Sequence, residues 1–259
     1  MTENVVDVRG AKLHFRSEGK GEALLFLHGV QGLPGWSEAL DRLSRHFEVL
    51  APDHPGFGQS DSPDWVDDVP DLAFFYLDVL DALADGRVHV VGHSLGGWIA
   101  LEMAIRSTAR MMSLTLVNAA GIQLAGVPRG DMFIGPASAL RQLLFAGEAA
   151  ATAWEGQWQS TPALQETYDK NRYAAAKYTW QPRLYNPKLA KWLHRIDVPT
   201  HVICGEEDRL IPPAHGAALA AEIRGAERTV LPGCGHLVDI EHPALFADTV
   251  FRFIERQRS

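Results

Sequence analysis

The sequence is poor in cysteine, and it lacks the residue spacings that metal and dinucleotide sites need. Its 259 residues include 2 cysteines, Cys204 and Cys234. Both lie near the ends of predicted strands, and free, partly buried thiols are favoured over a disulfide. No cysteines and histidines have the spacing of a zinc site, and no Gly-x-Gly-x-x-Gly follows a strand. We therefore predict that the protein uses neither a metal nor an organic cofactor.

The sequence also lacks a long apolar segment and an excess of positive charge. No apolar run approaches the roughly 20 residues of a membrane helix, and the first residues do not resemble a signal peptide. The formal net charge of −8 disfavours nucleic acid and anionic membranes as partners. We expect a soluble, cytoplasmic protein whose partner is a small-molecule substrate, with no nucleic-acid or membrane partner. The oligomeric state stays open, a homodimer included.

The most informative segment that is present reads Gly-His-Ser-Leu-Gly over residues 92–96. It follows an apolar run at 87–91 with strand character, and a helix-forming run begins at Gly97. A serine between glycines at a strand-to-helix turn is typical of a nucleophile elbow, where only small residues fit around the turn. The segment therefore predicts that Ser94 is a nucleophile.

A serine nucleophile needs a base that takes its proton, and the base needs a third group that orients it. The chain has 11 histidines. Among them only His236 combines a preceding strand, flanking glycines and a position near the C-terminus. Carboxylates follow the predicted strand at 200–204, but three are adjacent, so charge alone does not choose the acid: Glu206, Glu207 and Asp208.

With these residues the chain resembles the α/β-hydrolase superfamily over nearly its whole length. Leu-His-Gly at 27–29 and Pro-Asp-His-Pro-Gly-Phe-Gly-Gln-Ser at 52–60 are similar to two further motifs of that family, in the same order. The resemblance implies that Asp208 is the acid, because the family places an Asp shortly before an apolar residue and Pro. The second acid position known in the family is occupied here by Asn118, whose neutral amide cannot stabilise an imidazolium by charge.

The resemblance also implies an oxyanion hole built from backbone N–H groups. Attack on an ester carbonyl places negative charge on its oxygen, and each fixed donor is worth roughly 3–4 kcal/mol. Carried onto this chain, the two donors are the amides of Val30 and Leu95. The side chain of His28 is expected to pack rather than to take part in catalysis.

Strands and helices alternate along most of the chain, which predicts a mostly parallel sheet with helices on both faces. The α/β-hydrolase resemblance implies eight strands. After an opening hairpin, apolar runs predict strands at 23–28, 47–51, 87–91, 113–117, 200–204 and 228–231. Helical patterns lie near 36–45, 70–84, 97–109, 213–223 and 243–256. Ligands of such sheets bind beyond the carboxyl ends of the strands, where Ser94, Asp208 and His236 are all expected to lie.

The alternation stops after Asn118. Residues 122–195 carry helical patterns and no good strand pattern, so we interpret them as a helical cap inserted between the two parts of the core, 1–121 and 196–259. Caps in relatives roof the active site, and substrate pockets are mostly apolar. We predict the following wall residues for the substrate pocket: Trp98, Phe133, Trp154, Trp180 and Leu237.

These observations predict a serine hydrolase that cleaves a small, largely apolar carboxylic ester through an acyl-enzyme. In this scheme Ser94 attacks the carbonyl, His236 transfers the proton, and Asp208 orients His236 and stabilises its charged form.

Two alternatives accompany the ester hydrolase. The first is a C–C bond hydrolase acting on a meta-cleavage-type vinylogous diketone, which the cap arginines Arg172 and Arg183 favour. His93 and Leu237 disfavour it, because those relatives tend to have Asn before the nucleophile and Trp after the catalytic histidine. Lactone and amide bonds also stay open as substrates. The second alternative, from another class, is a ligand receptor that retains the hydrolase fold.

Overall fold

The central element is an eight-stranded sheet, seen in a computed structural model that describes residues 1–83 and 86–258. The strands are β1 (Thr2–Val8), β2 (Ala11–Glu18), β3 (Ala23–Leu27), β4 (Glu48–Pro52), β5 (Val88–His93), β6 (Met111–Val117), β7 (Thr200–Gly205) and β8 (Glu227–Leu231). Their spatial order is β1-β2-β4-β3-β5-β6-β7-β8. Strand β2 pairs antiparallel with β1 and β4, and all other neighbours pair in parallel. The mostly parallel sheet therefore agrees with the prediction.

Helices cover both faces of the sheet, because the strands are apolar on both sides. On β3, Leu25 and Leu27 belong to one buried cluster, while Leu24 and Phe26 belong to the other, as alternation along a strand requires. The core helices are α1 (Glu38–Ser44), α2 (Val69–Leu83), α3 (Leu95–Arg106), α7 (Pro213–Glu222), α8 (Val238–Glu241) and α9 (Pro243–Gln257). Buried side chains of α2, α3 and α7 lie in the first cluster, and those of α1, α8 and α9 lie in the second.

The segment between β6 and β7, called the helical insertion below (residues 122–195), holds three α-helices. They are α4 (Ala137–Leu144), α5 (Glu148–Trp158) and α6 (Pro162–Thr179), followed by a 3₁₀ helix at Ala190–Arg195. The backbone carbonyl of Leu144, at the end of α4, accepts hydrogen bonds from the amides of His236 (2.8 Å) and Leu237 (3.2 Å). The insertion therefore contacts the same sheet edge as the predicted site. Its division from the core as a separate domain stays a prediction.

The element boundaries differ from the sequence predictions in a few places. Strand β1 begins at Thr2, because the whole segment pairs with β2 up to Ser17. The last of the helical patterns within 122–195 is a 3₁₀ helix at Ala190–Arg195, and the short α8 was not predicted. The helix predicted at 70–84 ends at Leu83 in the described chain, and residue 84 lies outside the described residues. Across the described ranges, no helix is both long enough and apolar enough to cross a membrane.

Candidate active site

Ser94 lies at a sharp turn between β5 and α3. Its backbone has φ 54° and ψ −111°, a conformation that costs a non-glycine residue on the order of 1–3 kcal/mol and persists only when its surroundings impose it. The Ser94 amide donates to the carbonyl of Val117 (2.9 Å), and the Ser94 carbonyl accepts from Ala120 (3.1 Å). Neighbouring β6 and the loop after it thus hold the strained turn on both sides.

Glycines are required around this turn because backbones approach closely there. A side chain at Gly96 would collide with the carbonyl oxygen of Leu27, and one at Gly97 would lie 2.6 Å from the Cβ of Ala119. Small residues therefore let the start of α3 pack directly against β3 and the loop after β6. This close packing holds the hydroxyl of Ser94 at the carboxyl edge of the sheet.

Three side chains predicted from separate parts of the sequence lie in one hydrogen-bonded series. Ser94 Oγ lies 2.8 Å from His236 Nε2, and His236 Nδ1 lies 2.7 Å from Asp208 Oδ2. All three residues are at most 3% exposed. Since a carboxylate only accepts hydrogen bonds, Nδ1 of His236 is the donor, and neutral Nε2 is left as an acceptor for the serine hydroxyl.

Asp208 is fixed by two backbone donors. Its Oδ1 accepts from the amides of Leu210 (2.9 Å) and Ile211 (2.8 Å), while its Oδ2 faces His236. These two hydrogen bonds fix the orientation of the carboxyl group. The neighbouring Glu207 points instead to Arg209 at 3.1 Å on the surface. The geometry therefore distinguishes Asp208 from its neighbour, which charge alone did not.

Two side chains that the sequence analysis did not assign to the site hold the loop of His236. Asn118 donates through Nδ2 to the carbonyl of His236 (2.7 Å) and accepts at Oδ1 from the amide of Gly205 (2.8 Å). His93 donates through Nε2 to the same carbonyl of His236 (2.8 Å). Both are buried. They tie the histidine loop to the ends of β5, β6 and β7.

Hydrogen bonds of His28 and His54 hold the segment that carries Val30. His28 donates from Nδ1 to the carbonyl of Gly29 (2.7 Å) and accepts at Nε2 from the amide of His54 (3.1 Å). Burial lowers the pKa of His28 to about 4, so the ring is neutral, as its acceptor role requires. In the described part of the chain, the amides of Val30 and Leu95 have no hydrogen-bond acceptor. Both are therefore available for the oxyanion role that the resemblance implies.

Asn171 of α6 connects the helical insertion to this loop. It is 1% exposed. Its Nδ2 donates to the carbonyl of Gln31 (2.8 Å), and its Oδ1 accepts from the amide of Gly58 (2.9 Å). The contact to Gln31 spans 140 positions of sequence. No local pattern marks Asn171, because a polar residue in a helix is ordinarily exposed.

The predicted wall residues lie in different places. Leu237 and Trp154 line a cavity of about 50 Å³ next to Gly29 and His93. Trp154 also lines a second cavity of about 300 Å³ between α4, α5 and α6. Trp98 faces away from these, donates to Glu102 (3.2 Å) and lines a groove beside α2.

Phe133 and Trp180 pack on each other, with ring centroids 5.5 Å apart, under the guanidinium of Arg183. Trp180 is 52% exposed. Contact of these residues with substrate stays a prediction. Within residues 1–83 and 86–258, no group of His, Cys, Asp and Glu side chains is arranged as metal ligands would be.

Comparisons with known proteins identify the class. The family model described as the alpha/beta hydrolase fold matches residues 22–243. The chain therefore belongs to the α/β-hydrolase fold family, and it is a hydrolase.

Individual relatives cover nearly the whole chain. The 2-hydroxymuconate semialdehyde hydrolase of Pseudomonas sp. (strain CF600) is 31% identical over 269 residues, with 95% of this chain and 91% of that protein covered. A solved serine hydrolase involved in carbazole degradation has a TM-score of 0.79 at 24% identity, covering 98% of this chain and 99% of that one. A solved thermophilic esterase also has a TM-score of 0.79, at 22% identity, covering 99% and 98%. Both likenesses to solved structures concern the fold alone.

Proposed function

We propose that this hydrolase cleaves a small, largely apolar carboxylic ester through an acyl-enzyme on Ser94. The observation that carries the proposal is the buried series in which Ser94 Oγ lies 2.8 Å from His236 Nε2 and His236 Nδ1 lies 2.7 Å from Asp208. A positioned base is what a serine hydroxyl needs to act as a nucleophile near neutral pH.

The proposed reaction follows from the direction of these hydrogen bonds. His236 Nε2 takes the hydroxyl proton as Ser94 attacks the ester carbonyl, and Asp208 stabilises the imidazolium that forms. The amides of Val30 and Leu95 stabilise the oxyanion. His236 then gives its proton to the departing alcohol. Water, activated by the same histidine, cleaves the acyl-enzyme and releases the acid.

The side chains around the smaller cavity support a neutral substrate. No Arg or Lys side chain is among the described residues that line it, and the acidic Asp239 is. An anionic substrate would meet a carboxylate there without a compensating cation, which is unfavourable in a buried site. A neutral ester carries no such penalty.

A C–C bond hydrolase is the second candidate, and two observations favour it. The 31% identical relative is named as a 2-hydroxymuconate semialdehyde hydrolase. Arg172 also lines the cavity of about 300 Å³ between the insertion helices, where a guanidinium could pair with a substrate carboxylate. We rank this candidate second because no Arg or Lys is among the described residues that line the smaller cavity, which Gly29 and His93 border.

The proposal is tested by kinetics on the Ser94→Ala variant with p-nitrophenyl butyrate and with a meta-cleavage diketone. We expect wild-type protein to turn over the ester faster, and Ser94→Ala to lower kcat/KM for it by about 10³-fold or more, because the nucleophile is lost. The control is Ser138→Ala, which removes an exposed serine of α4 and should keep wild-type rates.

Three outcomes would contradict parts of this proposal. Retention of most activity by Ser94→Ala would reject Ser94 as the nucleophile. Faster turnover of the diketone than of any ester in a panel of chain lengths would favour the second candidate. Tight ligand binding without release of product would indicate the receptor alternative.

A further inference from the structure

The cavity of about 50 Å³ is lined by Gly29 and by His93, the residue that precedes the reactive serine. It is bounded by the loop after β3, by His93 at the end of β5, by Leu237 and Asp239 after the catalytic-site histidine, and by Trp154 of α5. A cavity needs roughly 10–15 Å³ of volume on this measure to hold one water, so the space suits a small polar group and is too small for a long acyl chain.

The side chain of Gln31 points to the same space as Ser94. Gly29 has no side chain, and a Cβ built there would lie 3.3 Å from Ser94 Cβ, 3.2 Å from Gln31 Oε1 and 3.1 Å from His93 Nδ1. The three groups therefore lie around the position that a side chain of residue 29 would occupy. A substrate group held there is only a few bonds from a carbonyl that Ser94 attacks.

Two buried residues of the cavity lining have polar side-chain atoms without a partner. Neither Nε2 nor Oε1 of Gln31 has a hydrogen-bond partner among the described residues, and neither does Oδ1 of Asp239. Gln31 is 5% exposed and Asp239 is 7% exposed. Buried polar groups are nearly always paired, and an unpaired one destabilises the fold. Such groups beside a nucleophile indicate a ligand that completes their hydrogen bonds.

The balance of donors and acceptors defines that ligand. The carbonyl of His236 can only accept, so Nε2 of His93 carries the proton in their 2.8 Å hydrogen bond. Burial lowers the pKa of His93, so its ring is neutral and Nδ1 is an acceptor. With Oε1 of Gln31 and Oδ1 of Asp239 counted as well, these three side chains of the cavity lining offer three acceptors and one donor, Nε2 of Gln31.

A hydroxyl group fits this set, because it donates one hydrogen bond and accepts others. A carboxylate does not fit, since it only accepts, and no described Arg or Lys lines the cavity. A methyl group would leave the polar atoms of Gln31 and Asp239 unpaired.

Building on the proposed ester hydrolysis, we propose that Gln31, His93 and Asp239 form a subsite for a hydroxyl group that lies within a few bonds of the scissile carbonyl. The substrate class is therefore a hydroxylated ester, and Gln31 and Asp239 determine the preference for it over its deoxy analogue.

The first test measures this preference in the active enzyme. Ratios of kcat/KM are compared for p-nitrophenyl 3-hydroxybutyrate against p-nitrophenyl butyrate, and for 2-hydroxyethyl butyrate against propyl butyrate. The two pairs place the hydroxyl on the acyl and on the alcohol side. We expect a preference on the order of tenfold for the hydroxylated member of one pair, because a site with buried polar groups rejects an analogue that cannot pair them.

Substitutions then assign the preference to named side chains. Gln31→Met keeps the volume of the side chain and removes its polar atoms, and Asp239→Asn replaces an acceptor by an amide. Each should bring the hydroxy-to-deoxy ratio toward one. Gln123→Met, at an exposed glutamine outside the cavity lining, is the matched control and should keep the wild-type ratio.

Stability supplies a readout that a merely structural glutamine would not give. Without ligand the amide of Gln31 has at most water as a partner, so Gln31→Met should keep Tm or raise it by a few degrees. A Gln31 that stabilised the fold would instead lower Tm on substitution. Loss of the ratio with an equal or higher Tm supports the subsite, and a lower Tm with an unchanged ratio contradicts it.

A binding experiment tests this inference independently of the proposed function. NMR titration of the Ser94→Ala variant with methyl 3-hydroxybutyrate and with methyl butyrate needs no turnover. About tenfold tighter binding of the hydroxylated ester supports the subsite even if wild-type protein hydrolyses no ester. Equal affinities, together with ratios near one for both ester pairs, would overturn it.

Discussion

Replacement of Asn171 by alanine removes two hydrogen bonds that join helix α6 to two loops of the core. The carbonyl of Gln31 and the amide of Gly58 lose their partners at 2.8 and 2.9 Å. Asn171 is 1% exposed, so water cannot readily replace it. Each buried backbone group left unpaired costs about 1–3 kcal/mol. The Gln31 carbonyl is buried but Gly58 is half-buried, so its amide costs less, and we expect the free energy of unfolding to fall by roughly 2–4 kcal/mol.

The same substitution should slow the reaction, because Gln31 directly follows Val30, whose amide we propose as an oxyanion donor. Complete loss of one such donor lowers kcat by roughly 10²–10³-fold. Release of the Gln31 carbonyl displaces the donor without deleting it, so a decrease of kcat by about tenfold is expected. KM should change less, since the interaction is made chiefly in the transition state.

Urea unfolding and initial rates, the latter at a temperature where both proteins are folded, measure the two effects. Asn171→Asp keeps the acceptor for Gly58 and loses the donor to Gln31, so its kcat should fall as far as that of the alanine variant. Thr179→Val is the control, because among the described residues this buried hydroxyl of α6 bonds only to Ala175 in its own helix. If Asn171→Ala lost stability but kept the wild-type kcat, α6 would have no role in positioning the oxyanion loop.

Two further predictions concern stability. Burial lowers the pKa of His28 and of His201 to about 4, against about 6.5 in an unfolded chain. The unfolded state therefore binds more protons than the folded state below pH 6.5. The free energy of unfolding should fall by about 2 kcal/mol for each histidine when the pH is lowered from 7.5 to 5. A urea midpoint that is the same at both pH values would refute this. Gly96→Ala should destabilise the protein by several kcal/mol and remove activity, because its methyl group collides with the Leu27 carbonyl. At Gly156 no described atom beyond its chain neighbours and its own helix backbone lies within 4 Å of an added methyl group. Gly156→Ala should therefore be neutral or slightly stabilising in the same thermal melt, and equal Tm losses for both variants would contradict the packing argument.

The sheet and the residues of the buried series could be predicted because their signals are local. Strand β5, the small residues around Ser94 and the helix after it are contiguous, and backbone sterics at one turn demand that order. His236 and Asp208 each follow a strand, and parallel strands end at one edge, so their convergence follows from the topology.

The surroundings of the series could not be predicted, because they depend on contacts between distant segments. Gln31 meets Asn171 across 140 positions, and His93 meets His236 across 143. The aromatic residues of the insertion illustrate the same limit. Trp154 is buried against the cavities, whereas Trp180 is half exposed, and only the tertiary packing of α5 and α6 decides which side of each helix faces inward.

The strands that flank the insertion are themselves neighbours. Leu114 of β6 pairs in parallel with Thr200 of β7, so the chain leaves the sheet at the carboxyl end of one strand and returns at the amino end of the strand next to it. The entropic cost of closing a segment between two fixed ends changes only with the logarithm of its length. The whole helical insertion could therefore be exchanged for that of a relative without disturbing the sheet and its core helices. A transplanted segment must still supply an acceptor where Leu144 meets His236 and a donor where Asn171 meets Gln31.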